Sequence, residues 1–194
     1  MDMGSYAFEV GALSRFWENS ATQGPWRFIS LTNTIHEISP DSLAKILVRC
    51  VERLDNGGCL FLYDMEQLPV LELGAIPWAA TEMKLILSEL FGALGAPSYE
   101  PSVGAWAHRT CRGWNAQIHF DHLGVEPDFR QRSDEAIERT SQRILTLVGD
   151  RVRRVDAALE SLAVHGPDTE EEESTIDVLL HEFWALARFR GGLR

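Results

Sequence analysis

His36 and Glu37 stand together in Thr34-Ile35-His36-Glu37-Ile38 and interrupt an otherwise apolar stretch. An imidazole titrates near neutral pH and a carboxylate can orient it, so the pair has the makings of a general base. A plain turn with His36 bonded to backbone uses the same residue types. Asp64 and Glu66 follow the apolar run Cys59-Leu60-Phe61-Leu62-Tyr63. Two carboxylates there could bind a substrate amine or a metal, or Asp64 could simply cap the next loop. His119, Asp121 and His122, with His108 and Cys111, include ligand types for zinc or iron. A polar strand face turned to water has the same composition and is the preferred reading of them. No Gly-x-Ser-x-Gly, P-loop or His-Glu-x-x-His spacing occurs, which leaves hydrolase and nucleoside-triphosphate chemistry without a motif.

The elements that must position these residues are legible between Phe28 and Glu66. Phe28 to Asn33 is a short β-favouring run. Ser39-Pro40-Asp41 then starts a helix: Ser39 can cap, Pro40 suits the first turn and Asp41 favours the positive end of the dipole. Leu43, Ile46, Leu47, Cys50, Val51 and Leu54 repeat at spacings of three and four, and Asn56-Gly57-Gly58 stops the helix. Cys59 to Tyr63 reads as a strand buried on both faces. Two strands joined by one helix should lie parallel, with both carboxyl ends on one edge. Asn33, His36, Glu37, Tyr63, Asp64 and Glu66 then converge where open α/β sheets bind ligands.

These residues resemble a family. Leu-Thr-Asn-Thr-Ile-His-Glu-Ile, a capped helix, and Leu-Asp-Asn-Gly-Gly-Cys-Leu-Phe-Leu-Tyr-Asp look like the fourth strand, fourth helix and fifth strand of class I S-adenosylmethionine-dependent methyltransferases. Asn56 stands where that family usually has Pro or Lys. The resemblance implies that Asn33 and Thr34 contact cofactor, that Tyr63, Asp64, Glu66 and Trp78 contact substrate, and that His36 and Glu37 serve the chemical step. It also implies an antiparallel strand pair closing the sheet, with the last strand inserted beside the fifth. The family's glycine-rich cofactor turn has no counterpart: Gly4, Gly11 and Gly24 are too far apart to form one loop. Only 27 residues precede Phe28, so the expected fold is the carboxyl half of such a Rossmann-like α/β domain, with S-adenosylmethionine bound only if another chain completes it.

Residues 1–27 form an amphipathic helix over Tyr6 to Asn19 plus a linker, residues 28–124 the half-domain, and residues 125–194 a helical hairpin. Gln67 to Trp78, with Pro69, Gly74 and Pro77, is a loop; Trp78 lines a pocket or covers core. Met83, Ile86, Leu87, Leu90, Phe91 and Leu94 mark a second sheet-covering helix that ends at Gly95 and Pro97. Ser102 to His108 and Trp114 to Phe120 are strands joined by a loop over Arg109 to Gly113. From Phe129 to Val164 one long helical pattern runs at near-heptad spacing, weakened at Gly149. After Gly166-Pro167-Asp168 a last helix carries Ile176, Leu179, Leu180, Phe183 and Leu186. Its apolar stripe packs on the sheet, or takes a second protein or a second copy of the chain as partner.

Composition narrows the classes. The chain has 194 residues, 45% of them hydrophobic, enough for one core. A formal charge of −11 opposes sequence-independent nucleic-acid binding, which needs cations against phosphates. Three cysteines without paired spacing fit a reducing compartment. No apolar run reaches a membrane span and Met1-Asp2-Met3-Gly4 lacks a basic leader start, so the expected location is cytoplasmic. The functions left open are a split or truncated small-molecule methyltransferase, an inactive interaction module derived from one and, third, a metal-dependent enzyme using the His119 cluster.

Overall fold

The computed structural model describes residues 24–190 other than 69, 110, 126–127 and 166–168. The helix expected over residues 6–19 lies outside the described residues. Strand β1 (Trp26–Thr32) leads through a 3-10 turn (Ile35–Glu37) to helix α1 (Pro40–Glu52) and strand β2 (Leu54–Gln67). Helix α2 (Ala80–Ala93), strands β3 (Val103–His108) and β4 (Cys111–His119) and the short α3 (Phe120–Leu123) follow. A second 3-10 turn (Phe129–Arg132) introduces α4 (Ser133–His165), and α5 (Glu170–Arg190) ends the described chain.

The sheet has the order β1-β2-β4-β3. β1 and β2 are parallel neighbours, as their helical crossover requires, with Leu31 opposite Leu62 and Thr32 opposite Tyr63. β4 lies antiparallel between β2 and β3, so the last strand does sit beside the second. The protein is therefore mixed α/β with an open, mixed four-stranded sheet and helices at its carboxyl end.

Several boundaries differ from the sequence expectation: β1 begins at Trp26, Phe120 opens α3 instead of ending β4, and the long helix begins only at Ser133. β2 runs to Gln67 and starts at Leu54, absorbing Asn56-Gly57-Gly58, because α1 already stops at Glu52. Residues 55–58 bulge from the ladder, since Trp26 pairs with Leu54 but Phe28 pairs with Cys59. Glycine is needed at 58, where a Cβ would stand 2.8 Å from the Asp55 carbonyl oxygen and 2.9 Å from that of Trp26. The hairpin is also tighter than expected. Arg109, at φ 53°, belongs to a turn so short that Cys111, Arg112 and Gly113 pair with β3.

Gly113 is closely crowded by its neighbours in the sheet. A Cβ there would overlap the Asp64 carbonyl oxygen and the Trp106 ring. We expect Gly113→Ala to lower unfolding free energy by about 2 kcal/mol, the middle of the overpacking range, read from denaturant midpoints. A change within about 0.5 kcal/mol, typical of a neutral surface substitution, would contradict the crowding.

α1 buries Leu43, Leu47, Cys50 and Val51 completely, and α2 buries Met83, Ile86, Leu87, Leu90 and Phe91 completely. Burying each large aliphatic or aromatic side chain contributes about 1.5–3 kcal/mol, so these two faces anchor the helical layer to the sheet. Burial pushes the Cys50 thiol up to about 12, which keeps it neutral and unreactive. α4, about 50 Å long at 1.5 Å per residue, packs against both α1 and α2 and runs through Gly149 unbroken. Its Ala136, Ile144, Val148 and Val152, with Ala185 and Leu186 of α5, belong to the same hydrophobic cluster as the sheet. The helical hairpin thus shares the core of residues 28–124. Val178, Leu180 and Trp184 on α5 are 45%, 50% and 48% exposed, so part of the last helix's apolar surface is not covered by this core.

Candidate functional site

The parallel pair brings the carboxyl ends of β1 and β2 to one edge. After β1 the chain reverses at Asn33, whose φ of 52° is a left-handed conformation that Asn tolerates. The Asn33 N–H still donates to the Tyr63 carbonyl at 2.9 Å, so the turn begins from the sheet's own ladder. In the 3-10 turn that follows, the N–H groups of Glu37 and Ile38 donate to the carbonyls of Thr34 and Ile35, each at 3.1 Å. Such a tight turn sends neighbouring side chains in different directions. Ile35 and His36 point inward and are buried; Glu37 points out.

His36, 4% exposed, meets Asp64, 1% exposed. His36 Nδ1 lies 2.5 Å from Asp64 Oδ1, and the His36 backbone N–H donates to Asp64 Oδ2 at 2.9 Å. The Met65 N–H donates to Asp64 Oδ1 at 2.7 Å. A buried carboxylate needs such partners to hold its charge, and here they come from the turn and from its own strand. The opposite ring nitrogen, Nε2, lies 3.5 Å from Glu72 Oε2. Glu72 is held by the loop between β2 and α2, which is tied down twice: Ile76 N–H donates to the His36 carbonyl at 2.8 Å, and the Glu72 carbonyl lies 2.8 Å from His181 Nε2 of α5.

Two concavities flank this cluster. A cavity of about 340 Å³ lies between the end of β2, the loop and α5, with Glu66, Glu72, Arg112, Arg151 and His181 among its polar lining residues. An open groove of about 590 Å³ runs along the outer edge of β1, lined by Ser30, Thr32, Thr34, Glu37 and Ser39 among others. Glu72 belongs to the cavity, Glu37 to the groove, and His36 is within reach of both carboxylates.

The residues singled out in the sequence thus separate. His36 and Asp64 come together, and the orienting carboxylate is Asp64 rather than Glu37. Glu66 lines the cavity, while Thr34 and Glu37 line the groove. Tyr63 alternates with Asp64 along β2 and faces the other side of the sheet, stacked on Trp106 at 5.2 Å between centroids. Trp78 is 1% exposed and lies in the core: its carbonyl accepts the Trp114 indole N–H at 2.7 Å and the Arg151 guanidinium covers its ring. It is absent from the cavity lining. His119 and His122 stand near each other, 5.2 Å between ring centroids, but Asp121 accepts a hydrogen bond from the Gly57 N–H instead of joining them.

Glu72 and His181 were not singled out from the sequence. Glu72 lies in a loop without periodicity and His181 is 109 residues farther along, so only the tertiary fold joins them.

Chemically, a carboxylate can only accept, so Nδ1 is the donor to Asp64, and Nε2 is the ring atom turned toward Glu72. No family model, curated protein or solved structure matches the chain.

Proposed function

We propose that this chain is the acceptor-binding half of a methyltransferase-like domain, completed by a cofactor half from another chain. The observation that supports this most is the sheet order β1-β2-β4-β3, with the antiparallel β4 inserted beside the second parallel strand. The resemblance of Phe28 to Glu66 implies that insertion, and nothing in the local sequence requires it. The cavity at the end of β2 suits a small molecule, with Glu66 and Arg112 available to its polar groups.

On this reading the open groove beside β1 is one wall of the cofactor site, and the described residues do not enclose that groove. When bound, the cofactor supplies the methyl group as a sulfonium. This chain's own contribution is to align and deprotonate the acceptor: Asp64 orients the buried His36, whose Nε2 lies beside Glu72 of the cavity lining. The partly exposed Val178, Leu180 and Trp184 also favour a second reading, an interaction module that keeps the fold without the chemistry.

Calorimetry separates the two. The chain alone should not bind S-adenosylmethionine, and mixing it with a protein that carries the strand, glycine-rich turn, helix and acidic strand end should create binding. Tight binding by the chain alone removes the need for a second half. A stable complex with a partner but no cofactor binding in any mixture favours the interaction module.

A further inference from the structure

Three carboxylates stand close to the His36 imidazole, one buried and two exposed. Asp64, Glu37 and Glu72 set three carboxylates around one imidazole, which carries at most one positive charge. One ligand atom from each of His36, Glu37 and Glu72 lies within 4.8 Å of the other two. The separation of His36 Nε2 and Glu72 Oε2, 3.5 Å, is beyond the usual hydrogen-bond range. It is close to the roughly 3.4 Å between two ligands that each stand about 2.1 Å from a shared tetrahedral cation. The bond from Nδ1 to the buried Asp64 supplies the outer-shell support that metal-binding histidines commonly have, fixing the ring and leaving Nε2 as the donor atom.

We propose that His36 Nε2, Glu37 and Glu72 bind one divalent transition-metal ion of the zinc or manganese class. One imidazole nitrogen and two carboxylate oxygens suit these ions, and three protein ligands leave positions for water or substrate. Glu72 is half-exposed on a loop, so it can close on the ion while His36 stays fixed. The site lies where Glu37 reaches the groove and Glu72 the cavity, and an ion there lowers the pKa of a bound hydroxyl or water. Under the acceptor-site reading, the ion replaces Nε2 as the group that promotes deprotonation. Metal binding itself does not rest on that reading.

The test uses the full chain after removal of metals with a chelator. Mn²⁺ is titrated and the free-ion signal followed by electron paramagnetic resonance, and Zn²⁺ is titrated by calorimetry. One ion per chain is expected. Glu72→Gln and Glu37→Gln, both at exposed carboxylates, should each weaken Mn²⁺ binding by more than about tenfold, the lower end of what even outer-shell changes cost. His119→Ala should leave it unchanged. Circular dichroism melts confirm that each variant is folded. Absence of stoichiometric binding, binding that survives Glu72→Gln, or binding lost in His119→Ala would each overturn the site. Failure of the cofactor-mixing experiment has no bearing on these readouts, so the two proposals fall separately.

Discussion

Asp64→Ala should lower the free energy of unfolding by about 4 kcal/mol, above the roughly 0.5–3 kcal/mol of most single substitutions. Asp64 is 1% exposed and accepts three hydrogen bonds, two of them from His36. Hydrogen bonds to a charged group contribute about 1.5–3 kcal/mol each, and a buried donor left without a partner costs its full desolvation. The three are not additive, because the His36 ring and backbone move together. Denaturant unfolding checks the value. Asp64→Asn, which keeps the shape and loses the charge, should fall between wild type and alanine. A loss below about 1 kcal/mol for Asp64→Ala would mean that the turn holds His36 in place without the carboxylate.

The next largest effect is expected at Arg151. Its guanidinium, 8% exposed, donates from Nε and Nη2 to Glu182 Oε1 at 2.9 and 2.5 Å and from Nη1 to the Pro77 carbonyl at 2.8 Å. Nη1 also lies 3.6 Å from Glu82 Oε2, and the cation sits over the Trp78 ring. One side chain of α4 thereby joins α5, the loop and α2. Breaking a buried ion pair by removing one partner costs about 3–5 kcal/mol. Glu182 is 28% exposed at its side chain, which screens the pair and places Arg151→Ala near 3 kcal/mol. The double change Arg151→Met with Glu182→Leu should recover much of that loss, since well-packed apolar replacements leave no stranded charge. If the double variant is no more stable than Arg151→Ala, packing rather than charge sets the cost.

The backbone plan was legible wherever local pattern and fold agree. Leu43, Leu47 and Val51 mark α1 by spacing, and Trp114, Ala116 and Ile118 mark the buried face of β4 by alternation. The parallel pairing of β1 with β2 follows from the connecting helix alone. What could not be read was who meets whom at the strand ends. His36 and Glu37 are adjacent in the chain, yet the 3-10 turn points His36 inward and Glu37 outward, so the carboxylate that orients the ring comes from 28 residues away. The strand boundary at Asn56-Gly57-Gly58 was misplaced for a related reason. Glycines that normally end a helix here permit a bulge pressed against the Trp26 carbonyl, a contact invisible to propensity. The contribution of α5 to the cavity through His181 and Glu182 has no local signal at all.

The double fastening of the 68–79 loop has a thermodynamic corollary. Glu72 addresses His36 through its side chain and His181 through its carbonyl, so the strand-end chemistry and the seat of the last helix share one residue. Any ligand that favours one position of Glu72 therefore biases how α5 rests on the loop. By reciprocity, any such coupling would act in both directions: a molecule that displaces α5 from the loop would change affinity at the imidazole by the same factor.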